Sequence, residues 1–510
     1  MKEQSGPMPE ARPVPLWAIG AGLFVLALLL RLACFTGLIA SDDGHYSGYA
    51  QLIADGRYTP EYHHHAVRHG LLLPVALLYR VFGVGEWTTI AVPLLASSVA
   101  VTLLFFVGTR LFGARAALIA ALLFGTFPIQ LRYGTVLVPE PILACYLLLA
   151  VLLYVRTDDR TPLARSALTG VILGVAYLTK ELAVFVALAL LVDSALGRRW
   201  RQAVGVMLGI GVIVALEHAY YVGTTGDVLF RLHALSAHNE VMSREPRPRA
   251  VGMPVASARP VEGVIERVPP AVAIAPGEGA PPPTAAPSVE DDDVPDDERF
   301  ISSRRLRRAF INYPQKMIEP NEDFGIHSLA ALILAAAAFL RFRHDRRARL
   351  LLLWAAVPWL YSNFGTTSFS RYLLIPPAAR YIDVVYPPLF LFGGWLFADG
   401  LSIAGWAKRL SLAAILAVSL VGVATGLSTR ATEYRTADVA VLRAIADNAA
   451  EKGLGRLCID VDGGVRSRLH WQRALFILSG GDLRECEVGS RDLFLRADPV
   501  GLPYVASLQK

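Results

Sequence analysis

Residues 14–46 read VPLWAIGAGLFVLALLLRLACFTGLIASDDGHY, an apolar run that ends at Ala40 and is followed at once by an acidic cluster. A run of this length and hydrophobicity is enough to cross a bilayer as one helix. The cluster Ser41-Asp42-Asp43-Gly44-His45-Tyr46 then lies at the membrane face. Carboxylates at that boundary are typical of a functional site.

The composition places the chain among membrane proteins. Of its 510 residues, 54% are hydrophobic and only 18% are charged, and the mean hydropathy is +0.44. This is too apolar for a soluble chain of this length. We therefore predict a mainly α, polytopic helical bundle with about eleven membrane spans. The apolar stretches lie at 14–39, 86–107, 114–132, 138–155, 164–179, 181–196, 202–221, 326–341, 350–363, 384–398 and 410–428.

Basic residues in short loops predict the orientation, because cytoplasmic loops retain positive charge. They alternate along the chain as Arg110 with Arg115, Arg156 to Arg165, Arg198 to Arg201, Arg341 to Arg349, and Lys408 with Arg409. This pattern predicts a cytoplasmic N-terminus. It also predicts that the Asp42-Asp43 loop, Glu140, the segments 222–325 and 362–383, and the C-terminal tail face outside the cell membrane. These loops account for the net charge of +6 without a nucleic-acid partner.

The sequence divides into consecutive parts with different composition. We predict a cytoplasmic tail at 1–13, a transmembrane core at 14–242 with its first outer loop at 41–69, a second transmembrane part at 301–428 and an outer domain at 429–510. No small-residue cleavage site follows the first span, so we interpret it as a retained anchor. Residues 243–300 are rich in Pro, Ala and acid, which predicts a disordered outer loop. This loop is either a lid over the site or a tolerated insertion.

The C-terminal tail has the pattern of a small α/β domain. Amphipathic helices are predicted at 437–450 and 469–478, and strands at 456–461, 483–487 and 493–497. Cys458 and Cys486 lie in this domain, where an oxidising outer compartment would permit a disulfide between them.

Residues 42–53 predict an amphipathic helix on the outer surface, with Tyr46, Tyr49 and Ile53 at helical spacing on its apolar side. Asp42 and Asp43 open this helix. They could cap its N-terminus and complement its dipole, or one of them could react.

An ordered set of motifs resembles the C-type glycosyltransferases, in the branch of protein O-mannosyltransferases and aminoarabinose transferases. That branch typically has Asp-Glu-Ala-x-Tyr where this chain has Asp42-Asp43-Gly44-His45-Tyr46. The other matching motifs are Arg31, Gly70 to Pro74, Arg110 to Gly113, Arg132-Tyr133 with Glu140, Gly174 to Lys180, and Arg380-Tyr381 with Pro387-Pro388.

This resemblance implies the membrane fold of that class and an inverting transfer of a sugar from a polyprenyl-phosphate donor, outside the membrane. It implies that Asp42 is the base, with Asp43 as the alternate. Lys180 and Arg380, with Tyr381, would bind the donor phosphate. Lys180 could instead only snorkel or pair with Glu181. Arg371-Tyr372 offers the same dipeptide as Arg380-Tyr381, and the spacing to Pro387 favours Arg380.

Two further sets of residues allow more than one interpretation. Glu140 could position the acceptor, hold a metal or cap the span that follows it. His63, His65 and His69, with His64 and Glu61, could bind a divalent metal. A histidine-rich exposed loop also occurs without a metal, and the sequence requires no cofactor.

Two other functions fit some of these features. A polyprenyl-lipid transporter or flippase could use the same charges for binding alone, but it predicts inverted repeats that the sequence lacks. A non-catalytic assembly subunit of the same fold would not need the acidic doublet. The acceptor, whether lipid, glycan or protein, and the sugar are not encoded in any motif.

Overall fold

The computed structural model describes the chain in segments, and it is mainly helical. The described residues are 14–37, 42–158, 160–244, 306–307, 310–311, 325–366, 379–402, 405–433, 457–459, 493–497 and 503–505. The tail 1–13, nearly all of the segment 243–300, the helices predicted at 437–450 and 469–478, the strand predicted at 483–487, and Cys486 lie outside them.

The first half of the chain forms eleven helices in the described residues. They are α1 Leu16–Ala33, α2 Asp42–Ala54, α3 His69–Phe82, α4 Glu86–Phe112, α5 Ala114–Gly125, α6 Pro128–Tyr133, α7 Pro139–Val155, α8 Leu163–Thr179, α9 Ala183–Leu196, α10 Trp200–Thr225 and α11 Phe230–Arg244. The helix predicted from Asp42 is confirmed. The predicted span 114–132 is wrong as one helix, since the chain is extended at Phe127 and a new helix begins at Pro128. Proline has no N–H to continue the preceding helix but suits the first position of the next.

The second half adds α12 Gly325–Phe342, α13 Arg346–Phe364, a 3₁₀ helix Ala379–Val385, α14 Tyr386–Ser402 and α15 Trp406–Glu433. Three short strands follow, β1 Leu457–Ile459, β2 Leu493–Ala497 and β3 Pro503–Val505. β1 pairs with β2 in parallel and β2 pairs with β3 antiparallel. A parallel pair needs a long crossover connection, which fits the predicted α/β domain, and that domain stays a prediction.

The apolar helices fit a membrane protein with several spans. Leu16–Ala33, Glu86–Phe112, Trp200–Thr225 and Lys408–Thr429 are long and apolar enough to cross a membrane. Six further apolar helices in the described part of the chain have 10–17 residues. The long helices expose leucines such as Leu29, Leu216 and Leu420. Lipid would cover such side chains.

The core lies where helices from both halves of the chain meet. Phe105 and Phe124 are fully buried there, together with Leu148, Trp354 and Phe390. These residues come from α4, α5, α7, α13 and α14, so the N-terminal and C-terminal transmembrane parts share one apolar interior. This shared interior holds in place the helices that carry the polar site.

α8 and α10 approach each other closely through glycines. A Cβ on Gly170 would lie 2.1 Å from the Val206 oxygen, and one on Gly209 would lie 2.0 Å from the Ala167 oxygen. Small residues four apart on a helix allow this spacing between membrane helices. The contact fixes the end of α8, which leads into Lys180.

Candidate active site

The two aspartates at the start of α2 occupy different environments. The Asp42 side chain is 27% exposed and faces charged groups. Asp43 is fully buried, and its charge acts on Tyr79 of α3, whose hydroxyl hydrogen-bonds with Ser47 and Thr89. Of the two carboxylates, only Asp42 combines partial exposure with contacts to cationic side chains in the described part of the chain. Its position suits a reacting group, whereas that of Asp43 suits a buried helix contact.

Asp42 is paired with Arg380, which the 3₁₀ helix carries to it from the C-terminal half. Arg380 Nη2 lies 2.9 Å from Asp42 Oδ2, and His65 Nε2 lies 3.5 Å from Oδ1. Burial alone would raise the pKa of Asp42, but the nearby His65 and the charge of Arg380 lower it below its ordinary value. Asp42 is therefore an ionised carboxylate at neutral pH.

The 3₁₀ helix is itself anchored by a buried polar pair. Both carboxylate oxygens of Asp383 accept from Gln130 Nε2, at 2.9 Å each. Burial raises the pKa of Asp383 to about 7, against the hydrogen bond from Gln130. Gln130 lies in α6, so this pair ties the segment that carries Arg380 to the N-terminal half of the bundle.

Glu140 and Lys180 form a second, more deeply buried ion pair. Lys180 Nζ lies 2.6 Å from Glu140 Oε1, and the two side chains are only 10% and 4% exposed. Pro139 begins α7 and places Glu140 in its first turn, while Lys180 follows the last residue of α8. Lys180 thus pairs with Glu140, while Glu181 binds arginines. Arg380 acts electrostatically on both Glu140 and Asp42, so the two pairs belong to one site.

Arg68 is a further cation of this site that the sequence motifs did not indicate. It is buried, and its guanidinium carbon lies 5.9 Å from the ring centre of Tyr46. Its charge acts on Asp42 and Tyr46. Gly70 explains how it comes near Lys180, since a Cβ there would lie 2.3 Å from Thr179 Oγ1. The sequence signal for Arg68 is only its position next to a histidine-rich stretch, for which a metal site and a metal-free loop are both open interpretations.

The histidines of the first loop divide into two sets. The potential ligand atoms of His63, His64 and His65 lie within 4.8 Å of one another, which suits a zinc-type donor set of imidazoles. His69 lies apart from them, with Nδ1 3.4 Å from the Tyr221 hydroxyl. A divalent metal would therefore be held by the three consecutive histidines, next to Asp42, and His69 would not be among its ligands.

The remaining predicted residues are described only in part. Tyr381 follows Arg380 in the 3₁₀ helix, but its side chain is outside the described residues, as is Arg371. The structure thus brings together Asp42, Glu140, Lys180 and Arg380, adds Arg68, buries Asp43 and places His69 against Tyr221. This arrangement offers an ionised carboxylate under the charges of Arg380 and Arg68, near the pair of Lys180 and Glu140, which suits proton removal beside a departing anion.

Comparisons with known proteins agree with this fold. Residues 71–221 match the family of dolichyl-phosphate-mannose-protein mannosyltransferases. No curated protein sequence matches the chain.

Three solved structures have a similar fold. ArnT from Cupriavidus metallidurans in the apo state has a TM-score of 0.57 at 15% identity, covering 93% of this chain and 87% of that one. The same protein bound to undecaprenyl phosphate has a TM-score of 0.56 at 15% identity, covering 91% and 84%. An Archaeoglobus fulgidus oligosaccharyltransferase tethered with an acceptor peptide has a TM-score of 0.51 at 11% identity, covering 91% and 63%.

The chain is thus similar in fold to ArnT, and residues 71–221 are similar in sequence to the mannosyltransferase family. These similarities lie in the branch of the protein O-mannosyltransferases and ArnT that the motifs resemble. The match favours an enzyme over a transporter or an assembly subunit. It covers only residues 71–221, so the roles proposed for Asp42, Arg68 and Arg380 rest on the geometry of this chain.

Proposed function

We propose that the chain transfers a sugar from a polyprenyl-phosphate donor to an acceptor hydroxyl, with inversion, on the extracytoplasmic side of the cell membrane. The observation that carries this proposal is the contact between Asp42 and Arg380, beside the buried pair of Lys180 and Glu140. The reaction needs a carboxylate base and cations within reach of each other. The fold shared with an ArnT that binds undecaprenyl phosphate supports a lipid-phosphate donor.

In the proposed reaction, Asp42 accepts the proton of the acceptor hydroxyl. The oxygen forms a bond to the anomeric carbon of the sugar while the bond from that carbon to the phosphate oxygen breaks. The electron pair leaves with the oxygen, as polyprenyl phosphate. Attack opposite to the leaving group inverts the anomeric configuration.

The cations of the site stabilise the charge that develops on the leaving phosphate. Arg380 presents two parallel N–H donors that fit phosphate oxygens, and Lys180 supplies a point charge. Arg68 adds a third cation next to Tyr46. Tyr381 is proposed from its place in the motif to donate a hydrogen bond to the same phosphate.

Glu140 has two parts in this proposal. It holds Lys180 at 2.6 Å, and its unbonded oxygen Oε2 offers an acceptor for a sugar or acceptor hydroxyl. The lipid part of the donor remains in the bilayer, which explains why the site is built at the ends of membrane helices.

The test compares two aspartate variants in purified protein. Asp42→Asn keeps the shape of the side chain but removes the base, so transfer from a synthetic polyprenyl-phosphate sugar falls by about 10² to 10⁴-fold. Asp55→Asn alters an acid near the end of the same helix, paired with Arg57 at the surface, and leaves transfer unchanged. Wild-type transfer by Asp42→Asn would reject the base assignment.

The sugar and the acceptor are identified by a separate experiment. Mass analysis of envelope glycans, glycolipids and glycoproteins after deletion of the protein reveals which sugar is lost and from which carrier. An unchanged profile, together with no transfer from any lipid-phosphate sugar, would overturn the proposed reaction.

A further inference from the structure

Arg231 is a buried cation near the site that donates four hydrogen bonds, although no motif pointed to it. It lies in the first turn of α11 and is 3% exposed. Its guanidinium donates to Glu217 Oε1 at 2.6 Å, to Glu181 Oε1 at 2.7 Å, and to the backbone oxygens of Val67 and Tyr177 at 2.9 Å each. It also lies 4.4 Å from the centre of the Tyr177 ring.

These bonds join the two segments that supply cations to the site. Val67 immediately precedes Arg68, and Tyr177 lies in the last turn of α8, just before Lys180. Glu181 follows Lys180. One arginine side chain therefore fixes the backbone beside Arg68 and the turn that carries Lys180.

Arg68, in contrast, is held by long contacts. Its Nε lies 3.3 Å from the His64 oxygen, its Nη1 3.5 Å from the Thr179 oxygen, and its Nη2 3.9 Å from Glu181 Oε2. Arg231 approaches the same carboxylate to 2.7 Å. Glu181 is thus engaged mainly by Arg231, since short charge-assisted bonds are the strong ones.

Because Glu181 carries a negative charge, it matters which of the two arginines it engages. Its carboxylate faces two guanidiniums, that of Arg231 at 2.7 Å and that of Arg68 at 3.9 Å. Glu181 is therefore a full negative charge beside Arg68. Without Arg231, that charge would have Arg68 as its near cation and would draw it away from the site.

We propose that Arg231 is a positioning residue that engages Glu181 and so leaves Arg68 free to bind the phosphate of the lipid donor. The inference rests on the proposed function. It assigns Arg231 no contact with the substrate. The α11 helix then contributes to donor binding indirectly, because Arg231 and Arg68 share Glu181 as a counterion.

The experiment removes Arg231 and then the charge it controls. Arg231→Met alone would bury Glu217 without its partner, so the starting variant is Arg231→Met with Glu217→Gln. In this variant Glu181 pairs with Arg68, and the affinity for polyprenyl phosphate, measured with purified protein in nanodiscs, falls about tenfold, or roughly 1.4 kcal/mol. KM for the donor rises and kcat falls as well, because Arg68 also stabilises the charge that develops on the leaving phosphate.

Adding Glu181→Gln to that variant removes the competing charge. We expect the affinity for polyprenyl phosphate to recover to near the wild-type value, which a merely structural role of Arg231 would not produce. Arg231→Lys provides a second background that keeps a buried cation but cannot bridge both carboxylates. The affinity for polyprenyl phosphate is also measured in Arg231→Lys with and without Glu181→Gln. Thermal unfolding of each variant establishes that it is folded.

The outcomes separate the two proposals. A wild-type protein that binds polyprenyl phosphate, with no loss in the Arg231 variants or no recovery on adding Glu181→Gln, overturns this inference alone. A wild-type protein that neither binds polyprenyl phosphate nor transfers a sugar from it overturns the proposed function and this inference together.

Discussion

Arg380 Nη2 lies 2.9 Å from Asp42 Oδ2, although the two residues come from opposite halves of the chain. The contact joins the first helix after the N-terminal span to the 3₁₀ helix before α14. It places a guanidinium at the carboxylate proposed as base. The candidate site therefore forms only when both transmembrane parts are packed together.

Replacement of Arg380 tests the role of this guanidinium. Arg380→Gln removes the charge at the leaving phosphate, and we expect kcat/KM for the lipid donor to fall by about 10² to 10³-fold. Arg380→Lys keeps the charge but loses the two-pronged geometry, so its activity lies between those of Arg380→Gln and the wild type. Arg57→Gln, at an arginine that is 69% exposed, is the control and leaves transfer unchanged. Equal activity of Arg380→Gln and wild type would exclude Arg380 from the phosphate site.

The Lys180 and Glu140 pair allows structural and catalytic roles to be separated. Lys180→Met leaves Glu140 buried without its close cation, and we expect a loss of stability of about 3 to 5 kcal/mol. Adding Glu140→Gln removes the buried charge and restores the thermal unfolding temperature. If Lys180 binds phosphate, transfer remains lost in the stable double variant. Recovery of both stability and transfer would limit Lys180 to a structural role.

Much of the helical pattern could be predicted from the sequence because it depends on local signals. Apolar stretches bounded by charged or proline residues gave α7, α8 and α9 within a few residues. The break at Pro128 was missed because the hydrophobicity on both sides is continuous. The proline alone carried the signal.

The partners in the site could not be predicted from spacing. Lys180 was expected to pair, if at all, with the adjacent Glu181, but it reaches Glu140 on another helix. Arg231 and Arg68 gave no motif, because their roles depend on which carboxylates the fold brings near them. The His63 to His69 stretch shows the same limit, since the helix that begins at His69 turns that residue away from the other three.

The buried Asp383 predicts a pH-dependent stability. Because burial raises its pKa to about 7, its contribution to stability is fully present below the ordinary carboxylate range, near pH 4, and is lost as pH rises through about 7. We expect the unfolding temperature of the purified protein to fall across this window. The corresponding loss of unfolding free energy is on the order of 4 kcal/mol. Asp383→Asn should remove this slope. Asp399→Asn, at an exposed acid, should leave it in place.

Two glycines of α10 provide the sharpest test of the bundle itself. A Cβ on Gly209 would lie 2.0 Å from the Ala167 oxygen and 2.6 Å from the Val171 nitrogen, whereas one on Gly211 meets nothing within 4 Å. Alanine favours a helix over glycine by about 1 kcal/mol, so Gly211→Ala should be neutral or stabilising. Gly209→Ala must push α10 away from α8 and should cost about 1 to 3 kcal/mol. Thermal unfolding of the two variants in the same detergent measures the difference. An equal response would show that α8 and α10 are not in this close contact, and Lys180 would then lose the support that places it in the site.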